Sequence, residues 1–344
     1  MELVNQALND AMMRTFILSV LAFVLAMALT PVYTFVAYRY KFWKRQRTSS
    51  TTGEALTVFT KLHANKFKRN IPTMAGMVFV LAIVIVTFLF NLDRRETWLP
   101  LAALAGGAIV GLIDDIINLR GKGQGVAGLR SSLKFLMITA IGLVLGWFFF
   151  DRLDVTAVTV PFIGEWHLGW LIIPLFAFVV VSAGNAVNIS DGLDGLAGGL
   201  AAIAFGSFGI ISIMQGNALM AGFCFTVVGA LLSYLWFNIH PARFFMGDVG
   251  SFALGTSLGV VAMLTDTLFI LPIIGFVFVL EAGSSLIQIF SKKVFKRKIF
   301  ISAPIHHHLE AIGWPETKVT MRFWVIAAVT SFVGVMVALA GGNI

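Results

Sequence analysis

Apolar positions along the chain fall into ten long runs separated by short polar segments: 15–38, 72–91, 98–116, 131–150, 169–186, 195–214, 218–238, 249–265, 267–290 and 321–341. A helix needs about 20 mostly apolar residues to cross the hydrocarbon core of a bilayer. The pattern predicts an all-α integral membrane protein with about ten transmembrane helices, a single polytopic domain over residues 1–344. The first run is no cleaved leader: Glu2 and Asp10 precede it with only Arg14, and it is too long for a signal-peptide core. Between the fourth and fifth runs, segment 151–168 forms the one sizeable external loop. Alternation in Val155–Phe162 permits a short hairpin there.

Charge orients the spans. Of 25 lysines and arginines, all but Arg14, Arg94, Arg95 and Arg152 fall on one side of the alternating topology, in segments 39–69, 120–134, 243 and 292–322. The positive-inside rule makes that side cytoplasmic and puts both termini outside. A miscounted pair of spans would scramble the asymmetry. Trp98, Trp147, Trp166 and Trp170 sit near span ends, as interfacial aromatics do. Composition agrees: 58% of residues are hydrophobic and 12% charged, against roughly 25% charged in a soluble domain. A soluble enzyme and a disordered chain are both excluded. The net charge of +8 fits loops facing anionic lipid rather than a nucleic-acid partner. Cys224, the single cysteine, leaves no disulfide framework and no thiolate zinc cluster.

Polar groups are costly at span ends, so four clusters there stand out. Asp114 and Asp115 close the third run, about 100° apart on a helix and able to border one headgroup-level pocket. Acid at a helix C-terminus opposes the macrodipole, which argues against an idle, solvated end. Asn185, Asn188, Asp191 and Asp194 recur every third position after the fifth run. On one unbroken helix the asparagines and aspartates would face different ways, so a break near 190–192 is expected to turn both pairs toward one cavity. A helix cap would explain one of the four and leave three. Asp248 stands in a turn flanked by Gly247 and Gly250, where a carboxylate and backbone N–H groups can approach phosphate and metal. A plain N-cap is the competing reading for that residue. His306, His307 and His308 lie with Glu310 in a basic loop. Consecutive histidines cannot share one metal on a helix, so donation to a pyrophosphate fits better.

All four clusters, with Lys68 and Thr73, fall on the basic side. Carboxylates, amides, histidines and lysines at headgroup depth suit a magnesium-assisted reaction between a soluble anionic substrate and a lipid phosphate.

The strings GLIDD, NAVNISDGLDGLAGG, FNIHPARFFMGDVGS and APIHHHLEAIGWPE closely resemble the phospho-N-acetylmuramoyl-pentapeptide transferases of bacterial peptidoglycan synthesis, from Lys68 to about Arg322 and in the family order. The triple histidine with Gly313-Trp314-Pro315 separates this branch from relatives that transfer N-acetylglucosamine phosphate. The resemblance implies ten spans, a homodimer in the bacterial cytoplasmic membrane with its active site facing the cytoplasm, and Mg2+. It implies UDP-MurNAc-pentapeptide and undecaprenyl phosphate as substrates, with UMP and lipid I as products. By position, Asp114, Asp115 and Asp248 match the essential acidic trio. Asp248 would be the magnesium ligand, with Asn188 as a second. Asp191, Asp194 and Phe245 match the nucleoside pocket, and Lys68, Thr73, Lys134, Gln288 and His306–His308 match the cleft lining; Asn185 joins them as a substrate-binding candidate. Ala75 stands where the family usually has glycine, and Ala127 where it often has a basic residue.

Two other readings compete. One is the related transferase that uses UDP-N-acetylglucosamine. The other is a cation-coupled transporter, which would want its acids near the bilayer midplane on broken, repeated helices.

Overall fold

The structure, a computed structural model, describes residues 2–43, 70–120 and 128–342. Helix α1 covers Glu2–Arg39, α2 Gly76–Phe90, α3 Trp98–Arg120 and α4 Ser131–Leu153. A hairpin of β1 (Ala157–Val160) and β2 (Gly164–His167) follows, then α5 (Ile172–Ser190), α6 (Leu196–Met214) and α7 (Ala218–Asn238). Helix α8 is Gly247–Leu264, α9 Leu271–Ile274, α10 Phe276–Val294, α11 Ile305–Ala311 and α12 Glu316–Ala340. Among the described residues, eight helices (α1, α3–α8 and α12) are long and apolar enough to cross a membrane.

The two remaining apolar runs differ from expectation for physical reasons. Run 72–91 becomes a helix only at Gly76, because Pro72 and Ala75 are bound to Phe245 by backbone hydrogen bonds that hold residues 72–75 out of a helix. Run 267–290 breaks at Gly275 into α9 and α10, and α10 carries Glu281, Lys292 and Lys293 within 19 residues. The hairpin appears in the expected loop. Alternation located its first strand, whereas the second strand, Gly-Glu-Trp-His, is fully exposed and has no buried side to alternate with. Asp266 accepts the Thr159 N–H at 2.9 Å and ties the hairpin to the end of α8.

Helix α8 is the axis of the fold, buried from Gly247 to Met263. It packs between α3 and α5, where small residues let backbones approach. A Cβ on Gly107 would meet the Phe252 carbonyl oxygen at 2.6 Å, and one on Gly255 would meet the Ala183 carbonyl oxygen at 2.6 Å. Thr256 and Ser257 donate across to the carbonyls of Ala103 and Pro100 at 2.8 and 3.0 Å, satisfying hydroxyls that lipid would not. The outside is apolar: Phe16, Phe35, Phe88, Phe178, Trp236 and Phe332 are each exposed. That inversion fits a lipid-facing surface, and the four belt tryptophans are exposed as well.

Candidate active site

The acidic pair ends up where it does because α3 and α8 touch at Gly111. A Cβ there would lie 2.1 Å from the Asp248 carbonyl oxygen. That close approach brings the last turns of α3 against the start of α8. Asp115 Oδ2 accepts the Val249 N–H at 3.0 Å, satisfying one of the free donors of a helix N-terminus. Asp114, 100° further round, faces α4 instead. Its Oδ2 lies 2.8 Å from Lys134 Nζ, and its Oδ1 accepts the Leu129 N–H at 2.5 Å. Lys134 Nζ is also 2.7 Å from Asp248 Oδ2 and lies over the Phe252 ring. One ammonium thus bridges two carboxylates from two helices. The pair borders one region, as the sequence suggests, but the two acids serve different neighbours.

The loop before α8 completes this flank. Phe245 donates its N–H to Pro72 at 2.8 Å and accepts from Ala75 at 3.0 Å, while Gly76 donates to Met246 at 2.9 Å. The backbone of the half-buried Phe245 is thereby fixed against Pro72 and Ala75, at the start of α2. Gly247 takes φ +72°, a left-handed backbone that favours glycine, and a Cβ there would meet Asp115 Oδ2 at 2.5 Å and Thr73 Oγ1 at 3.0 Å. Thr73 Oγ1 is buried without a hydrogen-bond partner among the described residues, although the residue's carbonyl accepts from Tyr33 at 2.7 Å. Lys68 lies outside the described residues.

Helix α5 ends at Ser190, at the break the polar spacing predicts. Asn188 Nδ2 donates to Ser251 Oγ at 2.9 Å, linking α5 to α8 one turn from Asp248. Asn185 turns back to its own helix and donates to the Val181 carbonyl at 2.8 Å. Asp191 caps the helix end, and Asp194 follows in the turn that leads to α6. Asp194 Oδ2 accepts the Ala242 N–H at 3.0 Å and lies 3.1 Å from His240 Nδ1. The Asp194 N–H donates to Glu316 Oε1 at 2.6 Å. Asp194, His240 and Glu316 offer ligand atoms within 4.8 Å of one another, a geometry compatible with a divalent cation. His240 and Glu316 stand inside the strings FNIHPARFFMGDVGS and APIHHHLEAIGWPE, but nothing in the sequence links them to Asp194, which lies 46 and 122 positions away with no shared period.

The three histidines take three different partners, although the His306 and His307 rings meet edge-on with centroids 4.0 Å apart. His306 Nδ1 is 2.6 Å from Glu281 Oε2, His307 Nδ1 is 2.8 Å from Glu310 Oε2, and His308 Nδ1 accepts the Ile301 N–H at 3.3 Å. His306 also packs on the Asp191–Asp194 turn: a Cβ on Gly192 would meet its Nε2 at 2.2 Å. The histidine and aspartate clusters are therefore neighbours. Gln288 is placed differently. Its amide accepts from Ile299 and Phe300 and donates to the Phe300 carbonyl, so it braces the 297–301 loop.

Asn118 was also missed. It is buried on the same face of α3 as Asp115, three residues on, and neither amide atom has a hydrogen-bond partner among the described residues. Unsatisfied buried amides are costly. With the Thr73 hydroxyl, it marks this flank as one where polar groups find no partner among the described residues.

Residues 97–266, which hold the acidic pair, Lys134, the Asn185–Asp194 cluster and Asp248, match glycosyl transferase family 4. The chain is 37% identical over 356 residues to a phospho-N-acetylmuramoyl-pentapeptide-transferase of Chloroflexus aurantiacus, covering 99% of this chain and 94% of that one. It is 40% identical over 280 residues to the enzyme of that name from Levilactobacillus brevis (79% and 86% covered) and 40% over 287 residues to that of Listeria welshimeri (81% and 87%). With this identity running along nearly its whole length, the chain belongs to the phospho-N-acetylmuramoyl-pentapeptide-transferase family.

Proposed function

We propose that this protein transfers phospho-N-acetylmuramoyl-pentapeptide from UDP-MurNAc-pentapeptide to undecaprenyl phosphate, forming lipid I and releasing UMP. A lipid-phosphate oxygen bonds to the sugar-bearing phosphorus of the diphosphate, and the bond from that phosphorus to the bridging oxygen breaks. The electron pair leaves with UMP. The observation that carries the reading is Lys134 bridging Asp114 and Asp248 at the ends of three helices. A membrane-embedded phosphate and a soluble diphosphate can meet only at such a depth.

Oxygen donors on facing helices fit Mg2+, which prefers carboxylates plus substrate phosphates. Asp248 and Asn188 would hold the ion, Asn188 being aligned by its donation to Ser251. When bound, it would neutralise the diphosphate and the developing charge on the leaving UMP. Lys134 supplies fixed positive charge beside it. Phe245 offers a ring on which uracil can stack, and the turn Asp191–Asp194 with the histidine helix flanks the nucleotide. Asp114 and Asp115 are the sequence's two candidates for a base toward the lipid phosphate, and the hold of Asp114 on Lys134 and the Leu129 N–H makes it the organiser of the pair. Lys68, Asn185 and Gln288 are outlying members of the cleft. The reading places the site on the cytoplasmic face of the bacterial inner membrane, both termini outside, in a homodimer of ten-span chains.

The test is UMP release by the purified protein with undecaprenyl phosphate and a panel of nucleotide sugars, with and without Mg2+. Release with UDP-MurNAc-pentapeptide alone supports the reading. Release with UDP-N-acetylglucosamine would move the chain to the related branch, and no release with any nucleotide sugar would sink it.

A further inference from the structure

Helix α10 carries a polar stripe that is buried from end to end: Glu281, Ser284, Gln288 and Ser291. Their spacing of three, four and three residues puts all four on one face. Each binds a different point of the segment that leads to and includes α11. Ser291 donates to the Arg297 carbonyl at 2.9 Å, and Gln288 clasps Ile299 and Phe300. Ser284 Oγ accepts the Ile305 N–H at 2.9 Å, at the first residue of α11, and donates to the Glu281 carbonyl at 2.8 Å. Glu281 reaches His306 itself, both side chains being fully enclosed. Its other oxygen has no hydrogen-bond partner among the described residues. The carboxyl is thus anchored on His306, with the His307 ring, centred 4.0 Å from that of His306, adding an electrostatic contact.

We propose that Glu281 is a positioning residue for the nucleotide-binding half of the site, acting through His306. The inference rests on the transferase reading above and goes beyond it in assigning the residue. Burial pushes the Glu281 carboxyl up to about 8, so the pair shares one proton between Oε2 and Nδ1. The bond fixes the orientation of the ring and, once the carboxyl ionises, keeps the proton on Nδ1 rather than on the other nitrogen. That nitrogen, Nε2, lies against Gly192 in the middle of the Asp191–Asp194 turn. The contact chain therefore runs from α10 through one buried pair to the turn that flanks the nucleotide. A simple packing role is a poor account of Glu281, since an apolar side chain would fill the position without the cost of burying a carboxylate. The acidic trio at Lys134 lies outside this chain of contacts. The lipid phosphate's half of the site should not feel its loss.

The experiment measures kcat and KM for each substrate with Glu281→Gln, Glu281→Asp, His306→Gln and the double variant Glu281→Gln/His306→Gln, in full-length protein. Glu281→Gln should raise the KM for the nucleotide sugar about tenfold, a displacement effect at the reacting group, with that for the polyprenyl phosphate within about twofold of wild type. Glu281→Asp, which keeps the charge, should recover part of the loss. The double variant should be no worse than His306→Gln alone, because the two act as one unit. Equal changes in both KM values, an unchanged KM, or additive losses would each overturn the proposal. If Glu281→Gln fails to fold, Ser284→Ala should still give the same KM split at smaller size, and its absence would equally overturn it. Nitrogen-15 spectra of the histidine rings separate this inference from the transferase reading. They need no turnover: recorded at about pH 9, above the raised value of the Glu281 carboxyl, His306 should be protonated at Nδ1 in the wild type and lose that preference in Glu281→Gln. An unchanged ring signal refutes the pairing even in a protein that releases no UMP.

Discussion

Lys134 reaches from the first turn of α4 to within 2.7 Å of Asp248 at the start of α8, 114 positions along the chain. The same ammonium is 2.8 Å from Asp114. A monovalent cation held by two carboxylates occupies ground that a divalent cation would also favour, so the two should compete. Replacing Lys134 with Met should lower the magnesium concentration for half-maximal activity, because two carboxylates then lack their internal counter-charge. Turnover at saturating magnesium should nevertheless fall by about a hundredfold or more with the loss of a fixed charge beside the diphosphate. A magnesium titration of Lys134→Met against wild type reads both. If the half-saturating concentration does not move, Lys134 and the metal do not share a site.

The touching backbones at Gly111 give a second prediction. A methyl group at this position must push α3 and α8 apart, since the atom it meets is the Asp248 backbone oxygen. Gly111→Ala should cost about 1–3 kcal/mol of stability by overpacking, and should cut turnover by about a hundredfold by separating Asp115 from Val249. Gly283→Ala is the matched control, because nothing lies within 4 Å of the added carbon. Thermal midpoints and UMP release for the two variants test the claim. Equal behaviour would mean that the α3–α8 contact does not set the geometry of the acids.

Topology can be read independently of activity. Lys/Arg distribution puts Lys298 on the cytoplasmic side and the hairpin residue Glu165 opposite, and both positions are exposed. The native Cys224 is buried and should stay silent toward an impermeant thiol reagent. Cysteines introduced at Lys298 and, separately, Glu165 should label from opposite faces of sealed vesicles. Labelling of both from one face would refute the assigned orientation.

The division between what the sequence reveals and what it hides has a physical origin. Apolar runs locate helices because lipid imposes one length and one polarity on every span. The Asp114–Asp115 pair, the Asn185–Asp194 series and Asp248 are legible for the same reason, as polar groups where polarity is expensive. Glu281 and Asn118 are single polar residues inside or beside apolar runs, and one residue makes no pattern. Glu316 closes the string APIHHHLEAIGWPE, but nothing in that string shows what it binds. Glu281 and Glu316 take their meaning from partners 25 and 122 positions away, which only the packing brings together. Gln288 shows the converse: its place in the motif suggests a ligand contact, whereas its amide is occupied in bracing the 297–301 loop. Pro72–Ala75 shows a limit of hydropathy, since residues apolar enough to span are drawn out of the helix by pairing with Phe245.

The role of Asp114 can be separated from that of a base by pH. A phosphate monoester has a second pKa near about 6, so the lipid phosphate is increasingly dianionic above that value and needs a proton acceptor only below it. A variant lacking the base should therefore lose most activity in acid and recover as the phosphate ionises unaided. The geometry favours a different role for Asp114. Its Oδ2 holds Lys134, and its Oδ1 takes the Leu129 N–H in the turn that follows Gly128. Both oxygens are thus committed to fixing a cation and a loop, tasks that do not depend on the protonation of the lipid. Asp114→Asn keeps the size and one oxygen but weakens the hold on Lys134, and its loss of turnover should be uniform from about pH 5.5 to pH 8.5 on either side of the lipid pKa. Asp115→Asn, assayed alongside, weakens the contact to the Val249 N–H. A loss in Asp114→Asn confined to the acid limb, fading as the pH rises, would instead make Asp114 the base and Lys134 its electrostatic partner.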